Sequence, residues 1–463
     1  MADRSSRLPR LLAGAAALAG VAVYLAPPPP GIAVPAMHAL GVVVLVVGLW
    51  ATAAIPVHLT SFIFFFLAIT LSLAPPGLAF SGFAAGATWL VFGGIVIGIA
   101  VQRTGLGTRI ANGLVRLLPR SYPGTIAGIV VACVGLAFVL PSAMGRVVIL
   151  IPIVQALAER LGFAAGSRGR HGMAMAVGTA SMIPGMSILP ATTPNVVLAG
   201  AAESTLGLVL RYGEFLIANG PVAGILTAPV LVALIVWIFP DRAGPRAEEL
   251  PPPGPLTAAE RRLAVVLALT LGMWATDVVH GIAPAWVALG AAIVCMLPVT
   301  RLVPAEAVAH EVNYSPWFML AGILGMAAMV THTGLSGVIG KVMFALVPFA
   351  HGADAWNFGL MVLLESLLAV LITFPSVPAI LTPLAPDLAA ATGWPLATAV
   401  MSQVPGFLAI YLPYEAPPIF TAMLMARVPY GLVVRLTLAF SAIYLATIAP
   451  LTYLWWQALG LFG

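Results

Sequence analysis

Residues 172–210 read GMAMAVGTASMIPGMSILPATTPNVVLAGAAESTLGLVL. The stretch is apolar enough for a membrane span, yet Pro184, Gly185, Pro190 and Pro194 interrupt it. Proline lacks the amide a helix interior needs and clashes with the preceding turn, which excludes one continuous helix. The apolar content excludes an ordinary surface loop. What remains is a discontinuous transmembrane helix. Non-helical backbone at that depth is tolerated only where protein or a water-filled cavity covers it.

The rest of the chain fits this setting. Of 463 residues, 61% are hydrophobic and 8% are charged, with a mean hydropathy of +1.08. Soluble domains carry roughly 25% charged residues. Apolar runs recur from end to end, without the alternation of barrel strands, so the class is an all-α polytopic membrane protein of about 11 spans. Arg4, Arg7 and Arg10 precede an apolar run to Ala26 that reads as an uncleaved first helix. The net charge of +5 reflects arginines at segment ends, as the positive-inside rule expects, and implies no nucleic-acid partner. Cys133 and Cys295 lie in apolar runs and read as packing residues.

After Pro27–Pro30, apolar segments cover roughly 37–54, 58–73 and 84–101. An arginine-bearing loop follows, with Arg103, Arg109, Arg116 and Arg120. Two arms, 122–140 and 147–157, meet at Pro141-Ser142, and Arg160, Arg168 and Arg170 close the unit. Basic clusters at both ends put them on one side of the membrane, so the pair reads as a re-entrant hairpin. A further span covers 217–239. The polar stretch 241–262, with Arg242, Arg246, Glu248, Glu249 and a Pro-Pro-Pro-Gly run, is a cytoplasmic linker. The organisation is therefore an N-terminal helix and turn (1–35), a first repeat (36–240), the linker (241–262) and a second repeat (263–463).

The repeat is visible in ordered matches. Gly48-Leu49-Trp50-Ala51-Thr52 returns as Gly272-Met273-Trp274-Ala275-Thr276, and Thr104-Gly105-Leu106 as Thr333-Gly334-Leu335. Pro141-Ser142 returns as Pro375-Ser376, Ser181 with Pro184-Gly185 as Ser402 with Pro405-Gly406, and Leu189-Pro190 with Pro194 as Leu412-Pro413 with Pro417. The linker puts the second half's first helix on the opposite course, so the repeats are expected to be inverted. Paired discontinuous helices in inverted repeats are a transporter pattern, with the site near the midplane.

Several residues could carry the chemistry. Arg146 follows the first hairpin tip, where an intramembrane arginine is costly, and with a helix N-terminus it would make an anion site. Glu415, in the second break, could pair with Arg146, bind a cation or carry a proton. Glu365 is a second proton carrier in an apolar run; Asp277 and Asp387 lie nearer segment ends. Thr192, Thr193 and Asn195 offer oxygens at the first break that could orient an anion or coordinate sodium. Ser402, Gln403 and Tyr414 could line the matching side. No histidine spacing suits a metal, and there is neither a His-Glu-x-x-His nor a Gly-x-Ser-x-Gly motif.

These segments resemble the divalent anion:sodium symporter family of the ion transporter superfamily. Trp50-Ala51-Thr52-Ala53-Ala54-Ile55-Pro56 is similar to its W-x-T-E-A-I-P segment, with Ala53 in place of the acid. Phe80 through Gly94 to Thr104-Gly105-Leu106-Gly107 resembles the next block, and Ala191-Thr192-Thr193-Pro194-Asn195 its G-T-P-P-N segment. The resemblance implies a homodimer, a moving unit of hairpins and broken helices, and substrate and sodium sites at a Ser-Asn-Thr on each hairpin tip. Here those tips read Ser142-Ala143-Met144 and Ser376-Val377-Pro378, and the second break reads Glu415-Ala416-Pro417-Pro418. Both serines remain without their amide and threonine, so dicarboxylate specificity and sodium coupling do not carry over.

The expectation is a secondary transporter of a small anion (carboxylate, sulfate or sulfonate class) in a bacterial inner membrane, with the lipid bilayer and a second copy as partners. Its substrate-binding candidates are Ser142, Arg146, Thr192, Thr193, Asn195, Ser376 and Glu415. Ser142, Thr193, Asn195, Ser376, Glu365 and Glu415 are the ion-coupling candidates. No cofactor is expected other than sodium ions, with protons the alternative coupling ion. A cation/proton antiporter or arsenite-type exporter is the rival reading.

Overall fold

In the computed structural model the described residues are 7–52, 54–110, 121–140, 142–242 and 254–463. Arg4, Ala53, Arg116, Arg120, Pro141, Arg246, Glu248 and Glu249, which enter the sequence reading, lie outside them. Among the described residues there are helices and no strands. Among the described residues seven helices are long and apolar enough to cross a membrane by length and composition.

The first half begins with α1 (Arg7–Leu25) packed along α2 (Val34–Thr52), followed by α3 (Val57–Thr70) and α4 (Gly86–Thr104). Next come α5 (Tyr122–Val139) and α6 (Ala143–Arg160), then α7 (Arg168–Met182). Short 3-10 turns at Pro184–Ser187 and Leu189–Ala191 separate α7 from α8 (Thr193–Leu206). The half closes with α9 (Tyr212–Asn219), a π turn at Gly220–Gly224 and α10 (Thr227–Ile238).

The second half also carries a two-armed unit followed by an interrupted helix. It runs through α11 (Ala258–Ala275), α12 (Pro284–Met296), α13 (Ser315–His332), α14 (Leu335–Leu346) and α15 (Asp354–Ile372). A tip at Phe374–Ser376 leads through α16 (Val377–Leu381), a turn at Thr382–Leu384 and α17 (Ala385–Thr392) to α18 (Leu396–Met401). Turns at Val404–Leu408 and Pro413–Glu415 precede α19 (Pro417–Met425). The chain ends with α20 (Tyr430–Ile443), a π turn at Tyr444–Ile448 and α21 (Ala449–Ala458). α11 starts at Ala258, inside the stretch read as linker, because Thr257 and Glu260 form a reciprocal capping box that satisfies two otherwise free backbone donors.

Packing between the halves is reciprocal. α3 packs on α13, and α4 packs on α12. α8 lies against the second tip, from Phe374 to Leu384, while α19 lies against α6 and α7 of the first half. The turns Pro184–Ser187 and Val404–Leu408 touch each other. Close backbone approach makes this possible: a Cβ on Gly82 would stand 2.1 Å from the Ala321 carbonyl oxygen, and one on Gly325 2.1 Å from that of Ala79.

Each two-armed unit opens and closes at one end. The Tyr122 and Phe163 rings lie 5.7 Å apart, and the indole of Trp394 donates to Asp354 at 2.8 Å. The Gly169 amide donates to Asp241 at 2.7 Å, which puts the open end of the first unit beside the linker. At that end Arg109 pairs with Glu260 at 2.6 Å and Arg103 with Glu311 at 2.5 Å.

Candidate functional site: two breaks that meet

Breaking a helix frees carbonyls and amides, and at full burial each needs a partner. In the first break Ile188 and Thr192 are extended, which leaves the oxygens of Ser181, Met186 and Ala191 outside helical pairing, while Ile188 O accepts from the Ala191 amide at 3.0 Å. Asn195 donates from Nδ2 to Met186 O at 2.9 Å and to Ile188 O at 3.1 Å. Arg146 donates to Ser181 O at 2.5 Å, to Ala191 O at 3.1 Å and to Leu140 O. Thr192 Oγ1 donates to the Met186 sulfur at 3.2 Å. The Ser142 hydroxyl caps α6 by accepting from the Gly145 amide at 3.0 Å.

The second break is satisfied by different chemistry. Tyr444 donates to Pro405 O at 2.6 Å, Ser441 to Ile410 O at 2.7 Å, and Thr437 to Tyr411 O at 2.9 Å. The Glu415 carboxylate accepts from the Leu412 amide at 2.8 Å and from the Tyr411 amide at 3.2 Å. Thr382 donates to Gln403 at 3.2 Å, Ser402 donates to Ala399 O at 2.9 Å, and Tyr414 donates to Val370 O at 2.6 Å.

The sequence candidates thus fall into groups. Ser142, Arg146, Thr192 and Asn195 gather at the first break. Thr193 is exposed at the start of α8, the helix that packs on the tip holding Ser376. Glu415 does not pair with Arg146: its oxygens are held by the backbone of its own break, and the Arg146 donors go to carbonyls. Asp277, read as a weaker proton site, instead accepts from the Tyr212 amide at 2.5 Å and the Gly213 amide at 3.4 Å, capping α9. Asp387 is exposed.

Several fully buried polar atoms around the breaks have no partner among the described residues: Arg146 Nε, Ser181 Oγ, Asn195 Oδ1, Ser376 Oγ and both Glu365 oxygens. Glu365 lies on α15, which packs against Val404–Leu408, and a Cβ on Gly406 would stand 2.1 Å from its Cβ. Ser181 was legible only as a repeat match. The carbonyls of Leu140 and Ala191 carry no side-chain signal at all.

An apolar cavity of about 630 Å³ flanks the first break between α5 and the π turn, lined by Val134, Phe138, Pro184, Ser187, Leu216 and Gly224 among others. Its Ser187 hydroxyl is bonded to Pro184 O at 2.7 Å, so these walls offer an anion no free donor. Among the described residues no group of three or more His, Cys, Asp or Glu could hold a metal ion.

Buried, polar-lined helix breaks that meet inside an apolar, all-helical chain are the architecture of a membrane transport protein. The chain belongs to a known family of them: the family described as sodium:sulfate symporter transmembrane region matches residues 7–462. A protein from Cupriavidus necator described as a membrane protein is 26% identical over 373 residues, 72% of each chain. The L-tartrate/succinate antiporter of Escherichia coli K12 is 26% identical over 300 residues, 58% of this chain and 59% of that one, so the match spans less than two-thirds of its length. Among solved structures, the Alcanivorax borkumensis YdaH transporter shares the fold with a TM-score of 0.57 at 15% identity, covering 88% of this chain and 99% of that one. Neisseria gonorrhoeae MtrF, from a class of antimetabolite efflux pumps, has a TM-score of 0.54 at 15% identity, covering 98% and 95%.

Proposed function

We propose that the protein is a secondary active transporter for a small anion of the carboxylate, sulfate or sulfonate class. It works by alternating access in a bacterial inner membrane, as a homodimer. The observation that carries this reading is the meeting of the two breaks, with unpartnered buried polar atoms around them. The family's description and the tartrate/succinate relative support the anion class.

The anion is received at the starts of α6 and α8. Both present free amides and a positive dipole end, with Thr193 and the unpartnered Ser376 hydroxyl beside α8. Inversion of the repeats is supported by which ends meet. Arg103, at the end of α4, pairs with Glu311 just before α13, the counterpart of α4. His58, at the start of α3, contacts Ser315 at 2.8 Å, whereas Ala285, at the start of α12, lies beside Gly86 at the start of α4. These contacts support counterpart helices that run in opposite directions.

Glu365 supplies proton coupling. Both its oxygens are buried with no donor among the described residues, and a buried carboxyl without a partner is a place where a carried proton can be loaded and, once the break reaches water, exchanged. The segments packed against its helix bring Tyr414, Glu415, Tyr453 and His38, none of which hydrogen-bonds to it. A lone central acid would also serve a cation/proton antiporter. Proteoliposome uptake of labelled succinate, L-tartrate and sulfate under an imposed pH gradient separates the two. Accumulation of at least one of these anions is expected. Proton movement driven by Na⁺ or K⁺, with no anion flux, would overturn the anion reading.

A further inference from the structure

The two breaks solve the same electrostatic problem in opposite ways. In the first, Ser181 O belongs to the last turn of α7, Leu140 O ends α5, and Ala191 O comes from the unwound segment between α7 and α8. Helix C-termini carry partial negative charge, and freed carbonyls with such ends are the oxygens that hold a coupling cation in broken-helix transporters. Here the oxygens converge on a guanidinium. Arg146 is completely buried, and its hydrogen bonds among the described residues run from its Nη groups to carbonyls, with Nε unpartnered.

A buried charge must be compensated. For Arg146 the compensation is main-chain oxygen alone, the ligand set of a hard cation. The fit is close, since a Cβ on Gly185 would stand 3.0 Å from Arg146 Nη2. The second half has no equivalent: the residue 234 positions after Arg146 is Ile380, and its freed carbonyls receive neutral hydroxyls instead.

We infer that the Arg146 guanidinium is a tethered cation filling the carbonyl cage of the first break, so that this site needs no alkali metal ion and transport runs without sodium. The inference rests on the transporter reading and assigns the first break a fixed charge. It also accounts for the first tip: a covalently held cation needs no asparagine or threonine to coordinate an ion, and Ser142-Ala143-Met144 supplies neither.

The test has two arms, and the first needs no substrate. Purified wild type and Arg146→Ala are melted in detergent with 20 mM choline, sodium, lithium or guanidinium chloride. Wild type should melt alike in all four. The alanine variant should melt lower in choline and rise by about 3 °C or more with guanidinium or sodium, since a ligand that binds only the folded form stabilises it. A variant that no cation stabilises more than wild type would overturn the cage.

In the second arm, wild-type uptake of succinate, L-tartrate or sulfate is measured in sodium and in choline. Initial rates within twofold are expected, and a tenfold or greater requirement for sodium would overturn the inference. Arg146→Lys, which keeps the charge, should keep that indifference to sodium. The wild-type arm decides even where Arg146→Ala does not purify. A protein that moves none of these anions fails the transport reading and still reports on the cage through its melting.

Discussion

Replacing Glu365 by methionine separates a working acid from a structural one. Both carboxyl oxygens are buried without a donor, so the substitution removes no hydrogen bond. Leaving a buried polar group unsatisfied costs about 1–3 kcal/mol, and a near-isosteric swap in a packed core costs less than about 1.5 kcal/mol. The difference predicts a variant that lies between about 0.5 kcal/mol less stable and about 3 kcal/mol more stable than wild type. Transport should fall the other way. One proton per transport cycle is worth about 1.4 kcal/mol per pH unit, or tenfold accumulation of the anion across one unit. Glu365→Met should lose that accumulation while keeping its fold. Thermal melts in detergent and gradient-driven uptake in proteoliposomes read the two effects. Destabilisation by more than about 1 kcal/mol would show that the acid has a structural partner. Undiminished accumulation would remove it from coupling.

Asp277→Ala should cost about 0.5–2 kcal/mol, the value of a lost helix cap, because the start of α9 loses both acceptors; thermal melts should fall while uptake per folded protein stays at wild-type level. At the linker, the Arg109 guanidinium and the Thr257 amide hold the Glu260 carboxyl down at about 2, from an ordinary 4.5. A lowered native value stabilises the fold above about pH 4.5, and that contribution fades as pH falls toward 2. Glu260→Gln should therefore melt below wild type at pH 7, with the gap narrowing through pH 4 to pH 3; a gap independent of pH would remove the ion pair from the account.

Much of the fold was legible because its signals are covalent. Pro184, Pro190 and Pro194 cannot continue a helix beyond its first turn, and their recurrence as Pro405, Pro413 and Pro417 marked the second break. Both proline-bearing segments are interrupted in the structure, at 184–191 and at 404–415. Single side chains fared differently. Arg146 and Glu415 were read as a candidate pair because opposite charges near two breaks attract, yet each is satisfied first by its own freed backbone. Main-chain donors and acceptors have no letter in the sequence, so competition from them is invisible until the backbone is placed. Asp277 shows the same effect, since its partners are two amides 65 and 64 residues away.

That competition also explains why matching positions diverged. A broken helix exposes the same oxygens in each half, and any donor set that covers them preserves the break. In the first half a charged side chain covers them, with Asn195 beside it; in the second, hydroxyls from α20 and the π turn do so, with Glu415 holding the amides. A fixed positive charge at one break and an ionisable acid at the other give the pair an asymmetry that the backbone lacks. Only the acid can change its charge during a cycle. Under the proposed proton coupling the driving ion enters through the second half, where Glu365 is a buried acid whose oxygens have no partner among the described residues.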